Sequence, residues 1–281
     1  MNTMKNIAAA VILFALSSAA SADIISVYSQ NFDSMGTGTA APSGWTAYSI
    51  SGSHDQFTPA DDTTNTGVLP TGSAISGGSL SSTLVVATAG TSTSQKGATG
   101  YNWAVNGSTT NRSLGTSPSG IAGMVLQAVI SNNTGAAITS LNIDYDTLVQ
   151  SVTTNNNNYT ANNYVGIEEL PGYWLFYSLD GGATYQNIAS LNGNGHTWAN
   201  TIGTVHESAS NYSLGGTWNA GANLYLRWFD DNAQGPSPDQ KIGLDNLVIT
   251  TGTSTPEPGS LVLLGIGAVA AAFWVKRQRI A

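Results

Sequence analysis

The sequence has no cysteine, few charges and, away from its two ends, almost no basic residues. The first absence excludes disulfides, so the fold must rest on a buried core, which a domain of roughly 230 residues can build unaided. Between Asp23 and Thr255 there are four Lys or Arg (Lys96, Arg112, Arg227 and Lys241) against fifteen Asp or Glu, a net charge of −11. Phosphate backbones are bound by basic patches, so a nucleic-acid partner is excluded. The acidity favours solubility and attracts divalent cations. Helix formers are scarce too. The polar background is Ser, Thr, Asn and Gly, and between residues 23 and 260 no stretch carries a helical apolar stripe.

Catalytic signatures are as thin as the charge. There is no G-x-S-x-G elbow and no Gly-rich phosphate loop. His54, His196 and His206 are the only histidines, and "HESAS" is an H-E-x-x-H zinc motif without its second His. Asp61–Asp62, Glu168–Glu169 and Asp230–Asp231 are pairs a glycoside hydrolase could use, but any acidic chain supplies such pairs. The expectation is a protein that is not an enzyme, with a glycoside hydrolase a distant third.

The ends are informative. Lys5 precedes an unbroken apolar run from Ile7 to Leu16, and Ala20 and Ala22 form an A-x-A cleavage site. That is the layout of a secretory signal peptide over 1–22, with the mature chain starting at Asp23. At the other end, Leu261 to Val275 has no charged or strongly polar residue. As a helix it is roughly 22 Å long, and Gly259, Ser260 and snorkelling basic side chains extend its reach toward the ~30 Å hydrocarbon core. Trp274 stands where an interfacial aromatic is expected, and Lys276, Arg277 and Arg279 place the tail on the cytoplasmic side. Pro256-Glu257-Pro258 cannot be helix interior and offers an extended segment ahead of the span.

This ordered ending closely resembles the PEP-CTERM sorting signal of Gram-negative bacteria. The resemblance implies a transient membrane anchor, cleavage near Pro256-Glu257-Pro258 by an exosortase-type membrane protease, and delivery to the envelope, surface or extracellular matrix. It also implies exopolysaccharide as a neighbour, since such hosts usually make one.

Between the ends, apolar residues alternate with period two. Leu141, Ile143, Tyr145, Thr147 and Val149 share one face, while Asn142, Asp144, Asp146 and Leu148 share the other. Leu224, Leu226 and Trp228 oppose Tyr225, Arg227 and Phe229. "KIGLDNLVIT" carries Ile242 and Leu244, then Leu247 to Ile249. "IISVYSQNF", "STLVVAT", "YNWAV", "IAGMVLQAVI" and "YWLFYSL" are further strands, and 51–82 and 106–120 read as Ser/Thr/Gly-rich loops. The expected architecture is all-β: one jelly-roll-like sandwich over 23–251, a linker over 252–258, and a transmembrane sorting signal over 259–281.

"SLDGGATY" (178–185) is similar to the Asp-box hairpin of sialidases and other secreted β domains, with Tyr185 for Trp. Asp180 is placed to accept turn amides, and Gly181 and Gly182 to take positive φ. A sialidase needs three arginines around the substrate carboxylate; the mature chain has Arg112 and Arg227 alone, which excludes that activity. "VYSQNFDSMG" and "LYLRWF…KIGLDNLVIT" resemble the first and last strands of secreted jelly-roll modules, some of which hold a structural calcium. The matching acids here are Asp33 and Asp245. The alternative is a turn cap at Asp33 and a solvent-facing Asp245. Trp103, Trp198 and Trp218 sit among polar neighbours, either buried or exposed to stack on sugars. The chain thus reads as an exported, non-catalytic surface or matrix protein, with a lectin-like carbohydrate-binding module as the alternative.

Overall fold

The computed structural model describes residues 25–52, 71–81, 83–88, 99–151, 172–192, 203–232 and 241–252. The signal peptide with Ala20 and Ala22, and everything from residue 253 on, including Pro256, Glu257, Pro258, Lys276, Arg277 and Arg279, lie outside these residues. The described part contains strands and short 3₁₀ turns in two sheets.

The seven-stranded sheet has β11 (Gly203–Trp218), β8 (Ile138–Ser151), β13 (Lys241–Thr251), β6 (Arg112–Thr116), β5 (Tyr101–Ala104) and β4 (Val85–Thr88) in that order, with β1 (Ser26–Gln30) also on β13. The six-stranded sheet runs β10 (Gln186–Asn187), β9 (Trp174–Ser178), β12 (Asn223–Asp231), β7 (Gly123–Ser131), β2 (Trp45–Ile50) and β3 (Ser79–Ser81). Of the paired strands, β4 and β5 alone run parallel. The two sheets pack as a sandwich, and the alternation seen in the sequence decides what lies between them. Leu141, Ile143 and Tyr145 of β8 share one core with Leu224, Leu226 and Trp228 of β12 and Leu126 of β7. Trp228 stacks on Trp45 at 5.4 Å and meets Tyr145 edge-on at 5.9 Å, and Trp45 meets Phe32 edge-on at 4.8 Å.

Strand β13 is irregular for a reason visible in its residues. Ile242 and Leu244 face the core, as do Leu247 and Ile249, so the inward parity changes from even to odd. A regular strand cannot do this, because neighbouring side chains point to opposite faces. A bulge between Asp245 and Val248 absorbs the extra residue, with Asn246 at φ +51°. The bulge is also a junction: Ile242–Leu244 pair with β6, and Leu247–Thr250 pair with β1.

Two sequence expectations are corrected. The supposed loop 106–120 contains β6. Its Gly115 is a platform: the Trp103 ring lies so close that a Cβ there would approach it to 1.8 Å. The supposed loop 51–82 contains β3 and a turn over 71–76 that covers the outer face of the six-stranded sheet. There Ile75 is fully buried with Val125, Phe176, Tyr185 and Phe229, and a Cβ on Gly72 would come within 1.9 Å of the Tyr185 carbonyl oxygen.

Arg227 holds that cover down. Its guanidinium lies 5.0 Å from the Tyr48 ring and 4.8 Å from the Tyr185 ring. Nε donates to Gln127 Oε1 at 2.8 Å, and Nη1 donates to the carbonyls of Ile75 and of Gly77, the latter at 3.0 Å. The Asp-box turn supplies Tyr185. As expected, Gly181 and Gly182 have positive φ, and Thr184 donates its amide to Asp180 at 3.0 Å. The hydroxyls of Ser178 and Thr184 hold the Asp180 carboxyl well below the usual carboxylate range. Removing Arg227 takes this donor from the buried Ile75 carbonyl and from the Gln127 side chain. Arg227→Ala should therefore cost about 3 kcal/mol of unfolding free energy in urea, and Arg227→Lys should recover only part of it, because an ammonium lacks the planar fork. A loss below about 1 kcal/mol in Arg227→Ala would show that burial of Ile75 alone holds the segment.

Candidate functional site

The polar groups converge where β1 meets the β13 bulge. Beyond β1, Phe32 takes φ +59° and is fully buried, which turns the chain and brings Asp33 to the start of β6. Asp33 accepts from the Arg112 amide at 2.9 Å and from Asn31 Nδ2 at 3.0 Å. Asn102 ties down the following loop by donating to the carbonyls of Gly36 and Gly38, and it is itself gripped by Arg112, whose Nε and Nη2 donate to it at 2.7 Å. Arg112 is thus buried structural framework, and burial lowers its pKa.

On β13, Asp245 is 3% exposed, and its Oδ1 accepts from the Asn246 amide at 2.7 Å. The register sets Asp245 directly opposite Asp146 of β8, and Asp146 opposite His206 of β11. Asp146 is bridged on both sides: Asn246 Nδ2 donates to its Oδ2 at 2.8 Å, and His206 Nδ1 lies 3.0 Å from its Oδ1. Like charges directly opposite in a sheet repel. Burial first, and then the charges of Asp33 and Asp146 against the opposing Asn246 amide bond, pushes the Asp245 carboxyl up to about 7. The hydrogen bond with Asp146 raises the His206 pKa. A groove of about 280 Å³ opens beside these groups, lined by Ser29, Gln30, Asn31, Asn246, Leu247 and Val248.

The two acids singled out in the sequence are thus brought within electrostatic reach of one another, Asp33 at the end of the first strand and Asp245 in the last. Asp245 does not face open solvent. Asp146 is the partner the sequence reading missed. Its outward position was visible in the β8 alternation, but its pairing with Asp245 depends on register. Among the described residues, no group of three or more His, Asp or Glu is placed to hold a metal ion. A cation here would rest on two carboxylates and neutral oxygens, a donor set that suits calcium by its hardness.

For two of the three tryptophans the structure decides between burial and exposure. Trp103 is 0% and Trp218 is 1% exposed, so neither offers a face to a sugar. Trp103 stacks on Tyr101 at 4.3 Å beneath Lys241, and Trp218 donates to the Ala222 carbonyl at 2.9 Å. Trp103 lies against Gly115, and Trp218 belongs to the main apolar core. Trp198 lies outside the described residues.

In comparison with known families, residues 254–278 match the PEP-CTERM protein-sorting motif. No curated protein sequence matches the chain.

The acid row has a pH signature. Unfolded, Asp245 ionises near about 4; folded, it does so at about 7. Between these values the folded state holds a proton that the unfolded state has lost, so this residue's contribution to stability falls as pH rises from about 4 to about 7. Asp245→Asn is expected to match wild type in melting temperature near pH 4 and exceed it at pH 8. Equal melting temperatures at both pH values would show that the carboxylate is not confined against its neighbours.

Proposed function

We propose that the folded domain of this chain, an exported protein whose PEP-CTERM motif marks it for an exosortase, is a non-catalytic component of the cell surface or extracellular matrix. The carrying observation is the motif at 254–278. In this reading the protease cuts near Pro256-Glu257-Pro258 and releases the domain among exopolysaccharide. The domain's sparse charge and its Ser, Thr, Asn and Gly background suit a hydrated polysaccharide environment. The test is mass spectrometry of surface material from a host with and without its exosortase. Mature protein ending near residue 258 should appear only when the enzyme is present. Surface protein retaining 259–281 in both hosts would overturn the reading.

A second reading, a lectin-like module, is favoured by one feature: the groove at the β1–β13 junction, whose Gln30, Asn31 and Asn246 are amides suited to sugar hydroxyls. A glycan array separates the two. Binding abolished by Asn31→Ala or Asn246→Ala favours the lectin; no binding favours the matrix component.

Calcium belongs to either reading as a structural ion. The support is that Asp33 and Asp245 lie within electrostatic reach of one another, where a cation would offset the burial and the like-charge repulsion that together raise the Asp245 pKa. Calcium would bind the folded state alone and stabilise it by mass action. The melting temperature should rise with millimolar Ca²⁺ and fall with chelator, and Asp33→Ala or Asp245→Ala should remove the response. A calcium-indifferent melt of wild type would exclude the ion.

A further inference from the structure

The folded unit does not fade out toward the sorting motif; it is fastened up to its last described residue. Thr250 and Thr251 pair with Asn142 and Leu141 of β8, and Ser26 of β1 pairs with Thr250 from the other side. Asn142 Nδ2 donates to Thr250 Oγ1 at 2.8 Å and to the Thr251 carbonyl at 2.9 Å. The Thr251 amide donates to the Ile25 carbonyl at 2.9 Å, and the Ile25 amide returns a bond to Thr251 Oγ1 at 2.9 Å. The Gly252 amide donates to the Ser140 carbonyl at 2.8 Å. Gly252 is buried, and a Cβ there would come within 2.3 Å of Ser140 Oγ and 2.6 Å of Asn211 Oδ1. Asn211 stands at φ +53° in a bulge of β11, from which its amide donates to Asn142 Oδ1 at 2.7 Å. Three strands thus close on residues 250–252.

Only residues 253–255 separate this clamp from Pro256. Fully extended, three residues span roughly 10 Å. A protease binds its substrate as an extended segment through main-chain hydrogen bonds on both sides of the scissile bond. An amide or carbonyl already paired in a sheet cannot make those bonds. For a cut near Pro256, the residues that would fill the upstream subsites run back into the clamp.

We propose that the Asn142-centred clamp on Thr250–Gly252 limits processing, so that the sorting protease engages its cleavage segment only when the end of β13 frays from β8 and β1. The inference rests on the processing reading given above. The domain thereby sets the rate of its own release, and a tightly folded domain stays anchored longer than a frayed one.

Pulse-chase of the full chain in its exosortase-bearing host tests this, reading the half-time of conversion to the shortened form. Two variants loosen the segment by unrelated means. Asn142→Ala removes both side-chain bonds to β13. A six-residue Gly-Ser insertion after Thr253 leaves every contact of the domain in place and lengthens the tether. Both should shorten the half-time at least threefold, with the insertion variant keeping the wild-type melting temperature. Equal half-times for wild type and the insertion variant would overturn the clamp and leave the sorting reading intact, since the protease would then read only residues downstream of the domain. No conversion in any variant, with the enzyme present, would overturn both.

Discussion

Strand β13 has to bury Ile242 and Leu244 and then Leu247 and Ile249, and no regular strand can do both. The bulge at Asn246 resolves the conflict, and much of the molecule follows from it. It lets one strand be flanked on the same side by β6 and then by β1, so the first and last strands of the domain meet. It leaves Asp245 on the face opposite the core, against Asp146. It opens the room that becomes the groove beside Asn31 and Asn246. The crowded acids are therefore a consequence of keeping four aliphatic side chains in the core. The repulsion they bring is contained by the Asn246 side chain, whose amide reaches Asp146.

The scarcity of basic residues takes on meaning once their places are known. Arg112, Arg227 and Lys241 are 3%, 6% and 8% exposed. Each does structural work: Arg112 grips Asn102, Arg227 lies between two tyrosine rings, and Lys241 sits over Trp103. These cations are thus withdrawn from contact with a partner, while the domain keeps its net negative charge. Such a domain repels a polyanionic polysaccharide within a Debye length of about 8–10 Å, but not a neutral glycan, nor a polyanion bridged by divalent cations. The calcium question and the matrix question are therefore one electrostatic problem.

What could be read from the sequence was whatever depends on local pattern. The inward faces of β8, β12 and β13 and the Asp-box turn are all nearest-neighbour statements, and they stand in the fold. The parity slip in "KIGLDNLVIT" was on the page too, as even positions giving way to odd ones. The strand β6 was hidden because Gly115 reads as a loop residue until Trp103 is known to lie on it. The strand β11 was hidden because it is an edge strand with much of its length exposed, so it lacks apolar alternation. The tryptophans stayed open for a related reason: a small, polar sequence neighbourhood accompanies either a wet ring or a buried one, and sequence cannot separate the two. Asp33 and Asp245 were legible as candidates, whereas Asp146 required register, which is set by the whole sheet.

The order of strands also constrains when this domain can exist. Strand β13 is the last to emerge, yet it sits inside its sheet, between β8 and the pair β6 and β1. Until it arrives, β8 and β6 have nothing between them, and β1 has no partner in the sheet. A chain crossing a membrane from its N-terminus therefore cannot complete this sheet until residue 251 is across. The apolar run at Leu261–Val275 follows within about ten residues, so closure of the sandwich and arrival of the sorting signal fall together in time. Long-range pairing of this kind is slow, because loop-closure entropy is spent before the contacts form. In the proposed reading, an anchor that holds the chain at the membrane gives β13 time to find its place, and once it has closed between β8 and the pair β6 and β1 those strands no longer present open edges to a neighbouring chain.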